Sequence, residues 1–392
     1  MNRLKFGILA GTMLLSMIGF GLIVPLLPVY AREFGASSVE VGLLFSVTAL
    51  ANLILLPVIG PLSDRYGRVL FLCLGLLLMA LATLGFYVSH SVEAILVCRF
   101  TQGVAMSMHL PVAQAMLGDM IPAGQEGRWM GYFSAVLFAG LGAGPLLGGV
   151  ASDMFGVQQV FILSAAAMIA ALIATAIFLR DDMHRTVTDP KTSGWSWQLL
   201  ANPFVCGVAA LQICNGALTG LSMAFLPVLG AEQLALGASA IGLVLFIRSP
   251  VSMLQSWSGK LADTHNRKLL ISVGVVLSSI AIATMPNTTG LWTLLLANTL
   301  LSLGMVLLQP AASAYMVEQG RTIGMGFAMS LGFMAMQIGG GFGPVGAGWI
   351  MQDAGLEAGF YAAAVVNLLG LLVFLFLMRH QHHGAQKTAA SI

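Results

Sequence analysis

Apolar residues in this chain come in long unbroken runs separated by short polar interruptions. The runs fall at 7–30, 39–60, 69–89, 92–117, 129–151 and 157–179, and again at 203–229, 238–258, 268–286, 289–315, 322–351 and 356–378. A helix needs about 20 residues to cross the hydrocarbon layer of a bilayer. Each run therefore predicts one transmembrane helix, numbered here as spans 1 to 12, the longer ones tilted or protruding into the interface. Strands of a membrane barrel would alternate apolar and polar positions, and these runs do not. Between spans 6 and 7 the pattern is interrupted from Arg180 to Ser196 by clustered charges together with Pro190 and Gly194. The expected organisation is an N-terminal six-helix bundle over 1–180, a cytoplasmic linker over 181–200, and a C-terminal six-helix bundle over 201–392 ending in a short cytoplasmic tail.

Composition narrows the class of protein. Of 392 residues, 58% are hydrophobic and 8% charged, against roughly 25% charged in soluble domains. So few charges cannot cover a water-facing surface of this size, which excludes a soluble enzyme, a disordered chain and a nucleic-acid binder. The net charge of +2 gives no sign of a polyanionic partner. Cys73, Cys98, Cys206 and Cys214 all sit in apolar runs and read as small buried side chains rather than a disulfide framework. Arg3 and Lys5 precede a first run too long for a signal peptide, so that run is read as a span. No phosphate-binding loop, metal-ligand cluster or nucleophile constellation stands out, so enzyme chemistry, a metal and a cofactor are not expected.

Charge position sets the topology. With both termini in the cytoplasm, fourteen of the seventeen Lys and Arg residues fall on that side; Arg32 is alone on the other, and Arg99 and Arg248 lie inside spans. Basic residues mark the cytoplasmic side of multi-pass proteins, so a bacterial inner-membrane protein with both termini inside is expected. The two halves also repeat at an offset of 199 residues: Pro28 and Pro227, Gly60 and Gly259, Asp64 and Asp263, Arg68 and Arg267, Pro111 and Pro310, Asp119 and Glu318, Gly144-Pro145 and Gly343-Pro344. Parallel repeats of this kind occur in transporters that rock one half against the other around a midplane site.

Several motifs lie in the register this repeat defines. Gly60-Pro61-Leu62-Ser63-Asp64-Arg65-Tyr66-Gly67-Arg68 separates spans 2 and 3, with a degraded copy, Gly259-Lys260-Leu261-Ala262-Asp263 and Arg267-Lys268, between spans 8 and 9. Span 4 holds Arg99-Phe100-Thr101-Gln102-Gly103, and span 5 holds Gly140-Leu141-Gly142-Ala143-Gly144-Pro145-Leu146-Leu147-Gly148-Gly149. Span 1 adds Gly21, Pro25, Pro28 and Tyr30. Together these resemble the major facilitator superfamily, and in particular its twelve-span drug/proton antiporters, over the whole chain. The resemblance implies an all-α polytopic fold of twelve transmembrane helices in two pseudo-symmetric six-helix bundles. It implies that Asp64, with Gly60, Arg68 and the copies Asp263 and Arg267, forms a conformational latch against the start of span 11. It also implies that Arg99 influences proton coupling and that the glycines around Gly144, Pro145, Gly148 and Gly149 seal the bundle against leaks. On physical grounds alone, an aspartate near a helix N-terminus is stabilised by the dipole, Gly-Pro bends a helix, and glycine allows close helix contact.

Polar residues inside the spans point to the interior. Of Asn, Gln, His and Arg, spans 3, 6, 9 and 12 hold only Asn367 away from their ends, Gln158 and Gln159 opening span 6, whereas the other eight hold Asn52, Arg99, Gln102, His109, Gln114, Gln212, Asn215, Arg248, Gln255, Asn298, Gln309 and Gln337. Spans 3, 6, 9 and 12 are therefore expected to face lipid and the others to surround a polar interior. Arg248 sits about ten residues from either end of span 8, roughly 15 Å at 1.5 Å per residue, and arginine cannot shed its proton. Every acid lies in a loop or near a span end, which counts against a dedicated cation exporter. The candidate substrate contacts are Arg248, Gln212, Asn215, Asn298, Gln309, Gln337 and Asn52. The candidate coupling residues are Arg99, His109 and Asp119, His109 because imidazole titrates near neutrality.

The function these features support is secondary active export of small amphiphilic or anionic organic compounds by alternating access, coupled to protons, by a chain acting as a monomer. Its partners would be that substrate, protons and the lipid bilayer. Two alternatives stand beside it: a broad-specificity hydrophobic multidrug efflux pump in which Arg248 is structural, and a non-transporting membrane sensor or scaffold on the same fold.

Overall fold

The computed structural model describes residues 3–120, 126–179, 203–264, 266–323 and 325–389; the interbundle linker lies outside the described residues. All twelve apolar runs are helical. The first is broken into α1 (Arg3–Ile23) and α2 (Leu26–Glu33) at Val24-Pro25. Pro25 and Pro28 explain the break, since each lacks an N–H and crowds the carbonyl four residues back. Runs 2 to 6 are α3 (Ser38–Tyr66), α4 (Arg68–Val88), α5 (Val92–Met120), α6 (Glu126–Phe155) and α7 (Val157–Phe178), and run 7 is α8 (Pro203–Glu232).

Run 8 departs from expectation. It is not one span-length helix but three pieces, α9 (Ala238–Phe246), α10 (Arg248–Ser252) and α11 (Gln255–Thr264). Pro250 removes the bond that would have reached the carbonyl of Phe246, where α9 ends. Beyond it the backbone tightens, with Met253 N donating to the Pro250 carbonyl at 3.3 Å and Leu254 N to the Val251 carbonyl at 3.1 Å. The remaining runs are α12 (Arg267–Thr284), closed by a 3-10 turn at Met285–Asn287, then α13 (Leu291–Ile323), α14 (Met325–Ala354) and α15 (Leu356–Ala389). The motif segment after Gly60 is also helical rather than a loop, because α3 continues to Tyr66. Among the described residues, nine helices are long and apolar enough to cross a membrane; span 8 is broken, and spans 4 and 11 are α5 and α14.

By contact the chain forms two units, Met1–Thr188 with Met223–Ser249, and Asp189–Ser222 with Pro250–Ile392. In the first unit α1 packs on α6 and α7, α4 on α5 and α7, and α3 on α5, and α9 lies against α6. In the second, α12 packs on α13 and α15, and α11 on α13. These are the same neighbours displaced by one repeat. The symmetry extends to single contacts. A methyl at Gly75 would lie 3.0 Å from the Ala105 carbonyl oxygen and 3.3 Å from Cβ of His109; at Gly274 it would lie 2.7 Å from the Gly304 oxygen and 3.0 Å from Cβ of Leu308. Gly156 and Gly355 are the matching one-residue connections α6–α7 and α14–α15, with φ of +87° and +85°, a region glycine enters without a Cβ clash.

The helices of spans 3, 6, 9 and 12 carry many exposed large apolar residues, among them Leu81 on α4, Ile177 on α7, Leu269 on α12 and Phe376 on α15. Asn367, the amide that lies well inside one of these spans, is fully buried. Its Nδ2 donates to Ser278 Oγ at 3.1 Å and Ser279 Oγ at 3.0 Å, tying α15 to α12.

Candidate transport site

The glycine motif of span 5 has two working faces. Gly140, Gly144 and Gly148 recur every four residues and therefore line one side of α6. A methyl at Gly140 would meet Cβ of Met17 at 2.8 Å, at Gly144 it would meet Cα of Gly21 at 2.5 Å, and at Gly148 it would overlap the carbonyl oxygen of Leu22, all on α1. The second face holds Gly142, Pro145, Leu146, Gly149 and Asp153 and meets span 8. A methyl at Gly149 would overlap the carbonyl oxygen of Ala238, and one at Gly242 would overlap that of Pro145. One turn further, Asp153 caps α9: Ala238 N donates to Oδ1 at 3.0 Å and Ser239 N to Oδ2 at 2.9 Å. A carboxylate at a helix N-terminus satisfies open N–H groups and meets the positive end of the dipole. Nearby in chain order, Arg32 Nε lies 3.3 Å from Glu232 Oε1, an ion pair joining the ends of α2 and α8.

This second face leads to Arg248. The residue is partly exposed and opens α10 where span 8 breaks. Ser249 beside it lies against Gly142, where an added methyl would overlap both Cβ and Oγ of the serine. The described carboxylates of Glu33, Glu40, Glu93, Asp153, Glu232, Asp353 and Glu357 all lie within three residues of a helix end. Asn52 is partly buried on α3, in the same unit.

Arg99 and His109 lie deeper in α5. Arg99 is 2% exposed; its Nη1 donates to Gln102 Oε1 at 2.7 Å and its guanidinium lies 5.3 Å from the centre of the Phe45 ring. Arg99 Nε and Gln102 Nε2 have no hydrogen-bond partner. The α3–α5 contact is tight here, since a methyl at Gly103 would lie 2.8 Å from the Thr48 carbonyl oxygen, and Thr48 Oγ1 donates to the Arg99 carbonyl at 3.3 Å. His109 is 1% exposed, with Nε2 2.8 Å from Ser16 Oγ on α1 and Nδ1 unpartnered. The Ser16 hydroxyl also reaches the Met13 carbonyl at 3.0 Å.

In the second unit, Gln212 and Asn215 lie on α8, 7% and 0% exposed. Neither amide atom of Asn215, nor Oε1 of Gln212, finds a partner. Buried amides of this kind are normally hydrogen-bonded, so these side chains carry unmet hydrogen-bonding capacity. Gln309 on α13 donates Nε2 to Met336 Sδ on α14 at 3.8 Å, next to the partly buried Gln337, and Asn298 is fully buried on α13. Close packing of α8 on α14 holds these positions: a methyl at Gly216 would overlap the Met336 carbonyl oxygen, and one at Gly343 would lie 2.5 Å from Cα of Ala217.

The residues expected to form a latch are described only in part. The side chains of Asp64, Asp119 and Asp263 lie outside the described residues. Arg68 begins α4 and is 9% exposed, while Arg267 begins α12 with its guanidinium 5.7 Å from the Tyr315 ring centre. At Gly60 a methyl would meet nothing described within 4 Å, and the same is true of its counterpart Gly259. Close approach at those glycines is therefore absent among the described residues, and Ser63 Oγ simply donates to the Gly60 carbonyl at 2.8 Å. Asp153 and Ser249 were not among the expected site residues, and Gly142 was expected only as part of the glycine motif. Asp153 sits 11 positions after Gly142, on the same helical face, which is the signal that could have found it.

Two six-helix sets with matching internal contacts, polar side chains buried between apolar helices and a broken span at an arginine define a multi-pass membrane transporter. The chain belongs to the Major Facilitator Superfamily, which it matches over residues 9–253 and 208–391. It is 25% identical over 396 residues to the quinolone resistance protein NorA of Staphylococcus aureus, covering 97% of this chain and 98% of that one. It is 26% identical over 371 residues to an uncharacterized MFS-type transporter of Methanocaldococcus jannaschii, covering 93% and 96%. Among solved structures, a bacterial homolog of the human lysosomal transporter Spinster matches with a TM-score of 0.83 at 15% identity, covering 96% of each chain. The nucleoside transporter NupG matches with a TM-score of 0.81 at 12% identity, covering 95% and 99%. These structural likenesses speak for the fold.

Proposed function

We propose that this chain is a secondary active exporter of small organic compounds that are amphiphilic or carry a negative group, working by alternating access with proton antiport. The observation that carries the substrate class is Arg248, a permanent positive charge placed where span 8 leaves its helix. A charge at that depth costs a few kcal/mol, and a chain whose acids sit at helix ends is poorly equipped to attract cations. Similarity to a quinolone resistance protein supports export. Gln212, Asn215, Asn298, Gln309, Gln337 and Asn52 supply neutral hydrogen-bonding groups for the rest of the substrate. Arg99, His109 and Asp119 are the coupling residues, and Asp64, Arg68, Asp263 and Arg267 the latch. Inward and outward states exchange because substrate and proton each favour a different one. The protein acts as a monomer in a bacterial plasma membrane with both termini cytoplasmic.

The test uses purified protein in liposomes and pairs of aromatic carboxylic acids, quinolones included, with their methyl esters. Wild type should move acids with the lower KM and release pH changes when substrate is added. Arg248→Gln should raise KM for the acids about tenfold and leave the esters unchanged. An unchanged acid-to-ester ratio would make Arg248 structural and the protein a broad hydrophobic-drug pump. Transport indifferent to a pH gradient would remove the antiport step.

A further inference from the structure

The antiporter-motif glycines of α6 divide their contacts between two partners, and Gly142 is the one that touches the break in span 8. A methyl on Gly142 would overlap both Oγ and Cβ of Ser249. Rotation about the side chain can move Oγ away, but Cβ is fixed to the backbone. A larger residue at 142 therefore has to displace the backbone of Ser249, and with it the adjoining Arg248. Pro250 on the other side of Ser249 has a locked φ, so few torsions can absorb the shift locally.

The preceding helix, α9, cannot absorb it either. The helix is pinned to α6 at three further points. Gly149 faces Ala238 and lies 2.8 Å, by its added methyl, from Cα of Ser239. Gly242 faces the Pro145 carbonyl and comes within 3.1 Å of Cα of Leu146. Asp153 holds the N–H groups of Ala238 and Ser239. A shift forced at Ser249 is thus confined to the short stretch from Ile247 to Ser249.

We propose that Gly142 and Ser249 form a notch that fixes where Arg248 sits, which makes Gly142 a positioning residue for the contact with the substrate's negative group. The second half of this statement rests on the anion reading of Arg248; the first does not. The notch also joins the sealing motif of span 5 to the substrate contact of span 8 through direct packing.

The test separates the two halves. In a background with Cys73, Cys98, Cys206 and Cys214 replaced, Arg248→Cys is labelled with a water-soluble maleimide and the rate measured. Gly142→Ala should change that rate at least threefold, and adding Ser249→Gly, which empties the notch, should return it to the starting value. With Arg248 present, Gly142→Ala should lower the acid-to-ester preference in liposomes and Gly142→Ala with Ser249→Gly should restore it. An unchanged labelling rate, or a double variant that fails to restore it, overturns the notch. Restored labelling with an acid-to-ester ratio that never moves keeps the notch and overturns the anion role of Arg248. If Gly142→Ala alone does not fold, recovery of folded protein on adding Ser249→Gly supports the notch, and failure to recover it refutes it.

Discussion

Buried polar residues in this protein are settled by their immediate neighbours, and the repeat supplies internal controls for them. His109 packs on Gly75, and in the second half Leu308 packs on Gly274 in the same way. A leucine is therefore compatible with that interhelical space, and His109→Leu should fold with an unfolding midpoint within a degree or two of wild type. Fluorescence-monitored melting in detergent checks this. Loss of pH-driven transport in that variant would identify His109 as the carrier, whereas unchanged transport would leave the carrier role to Asp119, with Arg99 acting on it through its fixed charge. Asn367 illustrates the limit of counting polar residues per span. Its span faces outward over much of its surface, yet this side chain turns inward to Ser278 and Ser279, because an amide in hydrocarbon without a partner is costly. Its repeat counterpart, Met168, is likewise fully buried, and accepts from Thr83 Oγ1 at 3.6 Å.

At the scale of elements, α6 presents two glycine faces to two different partners. Its two glycine faces bring α1 and α9 to backbone contact, where dispersion and close approach replace the hydrophobic effect that lipid abolishes. Gly148→Ala would drive a methyl into the Leu22 carbonyl; overpacking of this kind costs about 1–3 kcal/mol, and a lower unfolding midpoint is expected. Gly346 on α14 faces open space, so Gly346→Ala should leave the midpoint unchanged or raise it slightly, alanine being the better helix former. Equal melting of the two variants would contradict the assignment of faces. The glycine motif was legible in the sequence, but its division between two partners was not. Spacing gives the faces of one helix without saying which helix each face meets.

At the scale of the whole molecule, the helices of the two sequence halves repeat at 199 residues, and the expected orientation rests on charge. Alkaline phosphatase fused after Gly35, between α2 and α3, should be active in intact cells, and green fluorescent protein at the C-terminus should fluoresce. The opposite pair of results would reverse the topology. Contact assigns Met223–Ser249 to the first unit, although its place in the repeat belongs to the second half. Sequence order and the packing partner thus diverge at span 8.

The sequence by itself determined the number of spans, the repeat, the expected orientation and the family motifs. The reason is that in lipid each helix must satisfy its backbone hydrogen bonds internally, so span, length and apolar run coincide locally. Only the tertiary structure decided which side chains meet. It set Ser249 against Gly142, Asp153 on the end of α9, Ser16 on His109 and Asn367 on α12. These pairings join residues about ninety to over a hundred positions apart, and they depend on how each helix is rotated and shifted against its neighbour. Local pattern carries no record of that rotation, which close packing alone selects.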